Sequence, residues 1–270
     1  DDIIYAVDDK PGVTESFFAA LQHVLASFVG IITPTLIIGG VLGLAAEIPY
    51  LISMALFVSG VGTVIQARRV GPVGSGLICV QGTSFLIKVG MTDIGGGQWL
   101  LTNMPEKFAS TSNLIVGFSV VALVVLLNAS KNQWVRLTAV VVAMILGWLL
   151  AFVLGIANFK LGEFDLIAIP LPFKYGFNVD FGALIAFGFL YLITAIESTG
   201  DITANCAVSK LPVRGPSYLA RIRGGILGDG VNSMIAALFN TFPNTTFSQN
   251  NGVIQLTGVA SRYIGLWIGS

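Results

Sequence analysis

The chain has 270 residues; 54% are hydrophobic, only 10% are charged, and fourteen basic residues balance fourteen acidic ones. An ordinary soluble domain carries about 25% charged residues, so that class is excluded, and without a basic stripe so is nucleic-acid binding. A single histidine and two cysteines in apolar or membrane-edge contexts, Cys79 and Cys206, exclude a His-rich metal cluster and a disulfide framework.

What remains is an integral membrane protein, and its spans follow in order. Asp1–Glu15 is polar and reads as a cytoplasmic lead-in with a short surface helix from Thr14; its acidic start lacks the positive region of a secretory signal. Ser16–Ala46 carries no formal charge and exceeds the roughly 20 residues one span needs. Thr33-Pro34-Thr35 and Gly39-Gly40 predict a division into a helix from Phe17 to about Thr33 and a second, extended or half-helical piece ending near Leu44. Ile48–Ala67 is a second span, closed on the cytoplasmic side by Arg68 and Arg69. Gly71–Phe85 is short and glycine-rich. It reads either as a broken segment or as a glycine packing face. Gly95–Ser112 is a polar loop, Leu114–Ser130 and Leu137–Phe159 are spans, and Leu161–Asp180 is a proline-containing loop. Phe181–Glu197 is the next span. Lys210, Arg214, Arg221 and Arg223 crowd one loop, and Gly224–Asn240 is the last full span. With the N-terminus inside, every basic cluster falls on the cytoplasmic side.

The stretch Thr241–Gly258 then departs from the pattern. It is uncharged, broken at Pro243 and crowded with amides and hydroxyls. Irregular backbone at membrane depth survives only where it is buried in protein or lines a cavity, so the stretch reads as a binding site, or else as a re-entrant loop of no special role. Three acids lie near membrane depth. Glu197 and Asp201 are one helical turn apart and share a face; they either face a cavity or proton path or mark a helix end. Asp229, between Gly228 and Gly230, either carries a coupling ion or hydrogen-bonds a neighbouring helix. His23 in the first span reads as a satisfied core residue.

Gln249–Gly258, QNNGVIQLTG, resembles the signature of the nucleobase–ascorbate transporter family (nucleobase:cation symporter-2), Gln/Glu-Asn-x-Gly-x-x-x-x-Thr-x, nearest its bacterial xanthine permeases. Gln22-His23 near the start, IPLPFKYGF at Ile169–Phe177, IESTGDITA at Ile196–Ala204 and GGILGDG at Gly224–Gly230 agree with it in order and spacing. The resemblance implies an all-α polytopic membrane protein, an inverted-repeat transporter with core and gate domains, usually dimeric. Two short strands in its broken third and tenth segments cross at the substrate site. Residues 1–85 would be the first part of the core (spans 1–3), 86–180 part of the gate (the end of span 5 and spans 6–7), and 181–270 the second part of the core (spans 8–10). Family members carry two further spans between positions like Phe85 and Leu86, so residues are expected to be absent there. The family also continues beyond the position of Ser270.

By the same resemblance Glu197 and Gln249 form the substrate-binding pair. A carboxylate accepts from ring N–H groups and an amide both donates and accepts, which suits the edge of an oxopurine such as xanthine or uric acid. Uracil carriers have Glu in place of Gln249. Asn250 shapes the site from its lining, main-chain N–H groups near Phe247, Ser248 and Ser84 add contacts, and Ser84 leaves room for a bulkier purine. Phe85 or Phe247 either stacks on the base or simply packs. His23 supports the site indirectly. A proton is the simplest coupling ion, with Glu197, Asp201 and Asp229 as its candidate carriers; a sodium site of backbone carbonyls would leave no signature. No cofactor, no metal and no enzymatic step are expected. The partners are a purine base, the lipid bilayer and a second copy of the chain, in a bacterial inner membrane with the N-terminus cytoplasmic. The rivals are an anion transporter, an intramembrane enzyme with Glu197 and Asp201 as a dyad, and a nucleobase-binding protein that does not transport.

Overall fold

Long apolar runs can satisfy their backbone polar groups internally only as helices, and helices dominate the structure. It is a computed structural model, and it describes residues 3–41, 43–44, 46–84, 111–130, 132–155, 169–177 and 179–270. The sequence expectations for Phe85, for most of the loop after Gly95 and for the first half of the loop after Leu161 lie outside the described residues. Among the described residues, three helices are long and apolar enough to cross a membrane: Val13–Gly40, Ile48–Arg68 and Phe181–Val208.

The first helix, α1 (Val13–Val41), contains Pro34 and runs straight through the predicted division. Pro34 removes the bond to the carbonyl four residues earlier, but Ile31, Ile37 and Ile38 on either side are buried and hold the helix together. Among the described residues no separate surface helix precedes it, since α1 already begins at Val13. Helix α2 (Ile48–Arg68) has its proline in the first turn, where a missing N–H costs nothing, and ends on Arg69 in the left-handed region. The chain then turns into β1 (Gln81–Thr83), all of it buried.

Helix α5 (Phe181–Val208) is capped by Asp180, whose side chain accepts from the Ala183 N–H at 2.7 Å. It passes Gly200 and continues beyond Glu197, so Glu197 lies inside a helix and not at its end. Helix α6 (Pro216–Leu238) starts earlier than Gly224, with Pro216 in its first turn. Arg221 and Arg223 therefore stand on a helix; Arg221 Nη1 donates to the Ser75 and Gly76 carbonyls, each at 3.2 Å. Strand β2 (Asn244–Thr246) pairs antiparallel with β1 in the register Gln81–Thr246, Gly82–Thr245 and Thr83–Asn244. Two short helices follow, α7 (Gln249–Thr257) and α8 (Tyr263–Ile268).

The chain divides into two compact units, residues 1–91 with 169–270, and residues 92–168. Within the smaller unit α3 (Thr111–Asn128) and α4 (Gln133–Val153) pack on each other. Gly147 lets them approach: a Cβ there would stand 2.2 Å from a Val120 methyl. Within the larger unit α1, α2, α5 and α6 surround the strand pair. Residues 169–177 belong to the larger unit. Phe173 N–H donates to the Leu238 carbonyl at 2.8 Å, and Tyr50 hydroxyl to the Leu171 carbonyl at 3.1 Å. Lys174 pairs with Glu47 at 3.0 Å and sits 3.7 Å from the Tyr50 ring centre. The hydrogen bond from Tyr175, reinforced by Lys174, holds the Glu47 carboxyl below its usual range, and Glu47 holds Lys174 above its own.

Candidate functional site

A pair of asparagines sets the geometry. Asn251 on α7 donates to the main-chain carbonyl of Asp201 at 3.1 Å, and its own carbonyl accepts from Asn205 at 2.9 Å. Asn205 also donates to the Ile78 carbonyl at 2.8 Å. Both side chains are buried, so these bonds join α5, α7 and the approach to β1 in a dry environment where they are strong. The joint brings the helix bearing Glu197 beside the helix that begins with Gln249. Both of those side chains are exposed, as is Ser248 at the N-terminal end of α7. Asp201, one turn past Glu197, is partly buried. The Gln249 amide also lies over α1 where that helix has no side chain: a Cβ on Gly30 would stand 3.1 Å from Gln249 Nε2. The sequence reading passed over Gly30 and counted Asn251 only among the amides of the stretch 241–258. Gly30 is one of many glycines, and Asn251 occupies a variable position of the motif.

Asn250 points the other way. Its Nδ2 donates to Ser27 on α1 at 2.9 Å, and Ser27 donates to the main-chain carbonyl of His23 at 2.7 Å. The His23 ring is fully buried and interacts with Asn250, although neither ring nitrogen reaches good hydrogen-bond geometry. Asn250 is thus committed to α1, behind Gln249, and His23 lies behind Asn250.

Of the two roles expected for Phe247 the structure shows packing, and the main-chain N–H groups of Phe247 and Ser84 are used within the fold. The Phe247 ring is buried with Ile31, Ala55 and Leu56, and it covers Gly82 so closely that a Cβ there would stand 2.2 Å from its Cζ. A ring enclosed in this way packs the strand crossing. Its N–H donates to the Val80 carbonyl and that of Ser84 to the Pro243 carbonyl, both at 2.9 Å. These two N–H groups extend the strand pairing and are not free for a ligand. The Ser84 hydroxyl is buried without a partner and lines a cavity of about 80 Å³ with Tyr191, Thr194, Ser233 and Asn244.

Asp229 is closed off. It is 2% exposed. Its Oδ1 accepts from Gln66 Nε2 at 2.7 Å, Gln81 Nε2 at 2.7 Å and Thr246 Oγ1 at 3.1 Å, and its Oδ2 from Ser198. One carboxylate therefore ties α2, β1, β2 and α5 to α6. Among the described residues no basic side chain pairs with it; Arg223 is exposed. A buried charge needs this many donors to offset its lost hydration. Gln66 was also missed in the sequence, although a glutamine inside an apolar span is a polar group that must find a partner. The acids Glu197 and Asp229 thus belong to different environments, one open and one enclosed.

The chain matches the Permease family over residues 14–87 and 85–270, two stretches that meet where the sequence reading expects residues to be absent. It is 37% identical to the xanthine permease XanP of Escherichia coli K12 over 335 residues, covering 98% of this chain and 72% of that protein. To the xanthine permease XanQ of the same organism it is 34% identical over 333 residues, covering 98% and 71%. A putative purine permease of Clostridium perfringens is 28% identical over 322 residues, covering 99% and 70%. Each of these alignments is longer than the chain itself, so parts of the relatives have no counterpart in it.

Proposed function

Because this chain belongs to the permease family described above, that of the nucleobase–ascorbate transporters, we propose that it carries an oxopurine base, xanthine or uric acid, inward across a bacterial inner membrane in symport with a proton. The observation that carries the reading is the pair Glu197 and Gln249, exposed on two helices that Asn251 and Asn205 join. A carboxylate accepts from two ring N–H groups, and an amide offers one donor and one acceptor to the neighbouring C=O and N–H. That alternation is the edge of an oxopurine. The names of the relatives from Escherichia coli point to the same substrate class.

In this reading Glu197 and Asp201 are the groups that exchange a proton as the base binds, since ionisable side chains at membrane depth serve such paths. Asp229 holds the fold together instead. The larger unit acts as the core, residues 92–168 supply part of the gate, the N-terminus is cytoplasmic, and two copies assemble in the bilayer.

Binding of radiolabelled xanthine to the purified protein tests the site. Uric acid should displace it and uracil should not; Glu197→Gln should abolish binding, and Gln249→Glu should shift the preference toward uracil. Displacement by uracil in the unaltered protein would refute the oxopurine assignment. Uptake into vesicles tests the coupling: a protonophore should collapse accumulation, and removal of sodium should not.

A further inference from the structure

Helix α7 has nine residues, so at 1.5 Å per residue it is about 13 Å long, and a helix that short moves as one body. Gln249 stands at one end. The other end leaves through Gly258 in the left-handed region, with φ 71°. The exit is held by the start of the chain. Ile4 N–H and Tyr5 N–H both donate to the Gly258 carbonyl, at 2.7 and 3.2 Å. In return Ala260 N–H donates to the Tyr5 carbonyl and Arg262 N–H to the Val7 carbonyl, each at 2.9 Å. Tyr5 and Val259 form a parallel bridge, and the Ser261 hydroxyl donates to the Asp9 carbonyl. Val7, Val259, Ala260 and Ser261 are all buried. Arg262 and Asp8 add an ion pair at 2.9 Å, which at such exposure contributes little; the main-chain bonds and the buried valines carry the docking.

Residues 3–9 end in Asp8 and Asp9 and are far in sequence from α7, and the sequence reading made them a plain lead-in. We propose that they are a positioning element for the binding helix. Docked as a strand on residues 258–262, they hold the inner end of α7 and thereby the place of Gln249 and Asn250. The inference rests on Gln249 serving the proposed purine site, but its effect on α7 does not depend on which ligand binds there.

Three forms of the whole chain test it: one lacking residues 1–9, Ile4→Pro, and the pair Tyr5→Cys with Val259→Cys. Paired strands lie about 4.8 Å apart, within disulfide reach, and the native cysteines are buried. Two quantities are read: the Kd for xanthine, and the rate at which a thiol reagent labels Gln249→Cys built into each form. Loss of the strand should raise the Kd at least tenfold at unchanged binding capacity, and should change the labelling rate severalfold. The oxidised cysteine pair should keep the unaltered values of both. Equal Kd and equal labelling with and without residues 1–9 would overturn the proposal. If neither strand-deficient form folds, the cysteine pair decides: a cross-linked protein that stays stable yet loses xanthine binding would overturn it, and one that keeps it supports it. If the unaltered protein binds no base, the purine assignment fails, and the labelling rate alone still decides whether residues 3–9 position α7.

Discussion

Glu197 and Asp229 look alike in the sequence, each an acid in an apolar run, yet the fold treats them oppositely. Asp229 accepts from Gln66, Gln81, Thr246 and Ser198 and is sealed from solvent. Glu197 remains exposed on α5, one turn from the asparagine joint to α7. The contrast teaches that the polarity of a residue in a span does not reveal its role; the number of partners it already has does. A saturated carboxylate is a structural hub, and an unsaturated one is available to a ligand.

That contrast can be broken by mutation. The largest expected effect is that of Asp229→Ala. It orphans several buried donors, each costing about 1–3 kcal/mol, and the total should reach about 3–5 kcal/mol even after relief of the buried charge. Thermal unfolding in detergent should show a collapse in Tm, whereas Glu197→Ala should leave Tm nearly unchanged and remove xanthine binding. Similar Tm losses in the two variants would erase the distinction.

Next comes Gly82→Ala, whose Cβ would overlap the Phe247 ring. Overpacking of this kind costs about 1–3 kcal/mol, and because Phe247 lies two residues before Gln249, xanthine affinity should fall with the stability. An unchanged Tm would mean that the strand crossing is looser than it looks. Asn251→Ala removes both bonds of the joint between α5 and α7. At about 1 kcal/mol per bond it should weaken xanthine binding about tenfold, and equilibrium binding would expose any smaller effect.

The smallest expected effect lies at the exposed clamp. Glu47 is held below its ordinary 4.5, so its contribution to stability is present above that pH and is lost as the pH falls through the lowered value. Lys174 is held above its ordinary 10.5, so its contribution is present below that pH and is lost as the pH rises through the raised value. Between the two the clamp is intact. Glu47→Gln should therefore flatten the acid limb of a Tm-against-pH curve, by a small amount because both groups are exposed. Identical acid limbs would show that the clamp contributes nothing.

Much of the scaffold was legible in the sequence. The uncharged runs marked α1, α2 and α5 as spans, and the polar stretch 241–258 was singled out before it resolved into β2 and α7. Pro34 and the acid at Glu197 were misread as boundaries, because a residue unfavourable to a helix by itself was weighed without the buried neighbours that hold the helix through it. In the site, Glu197 and Gln249 came from a motif. Gly30 and the partners of Asn251, Gln66 and Gln81 did not, since nothing local says which distant group each of them meets.

The sequence by itself determined that this chain lives in a membrane, that α1, α2 and α5 carry its long apolar runs, and which family it joins. Apolar burial is non-directional and roughly additive along the chain, so counting residues is enough to see it. Only the tertiary structure decided that Asp229 is enclosed while Glu197 is open, that Phe247 packs against Gly82, and that the first residues clasp the far end of α7. Those outcomes rest on hydrogen bonds and close contacts that act over about 3 Å and only in the right direction. Their partners lie far apart in sequence, so the pairings exist only once the chain has folded.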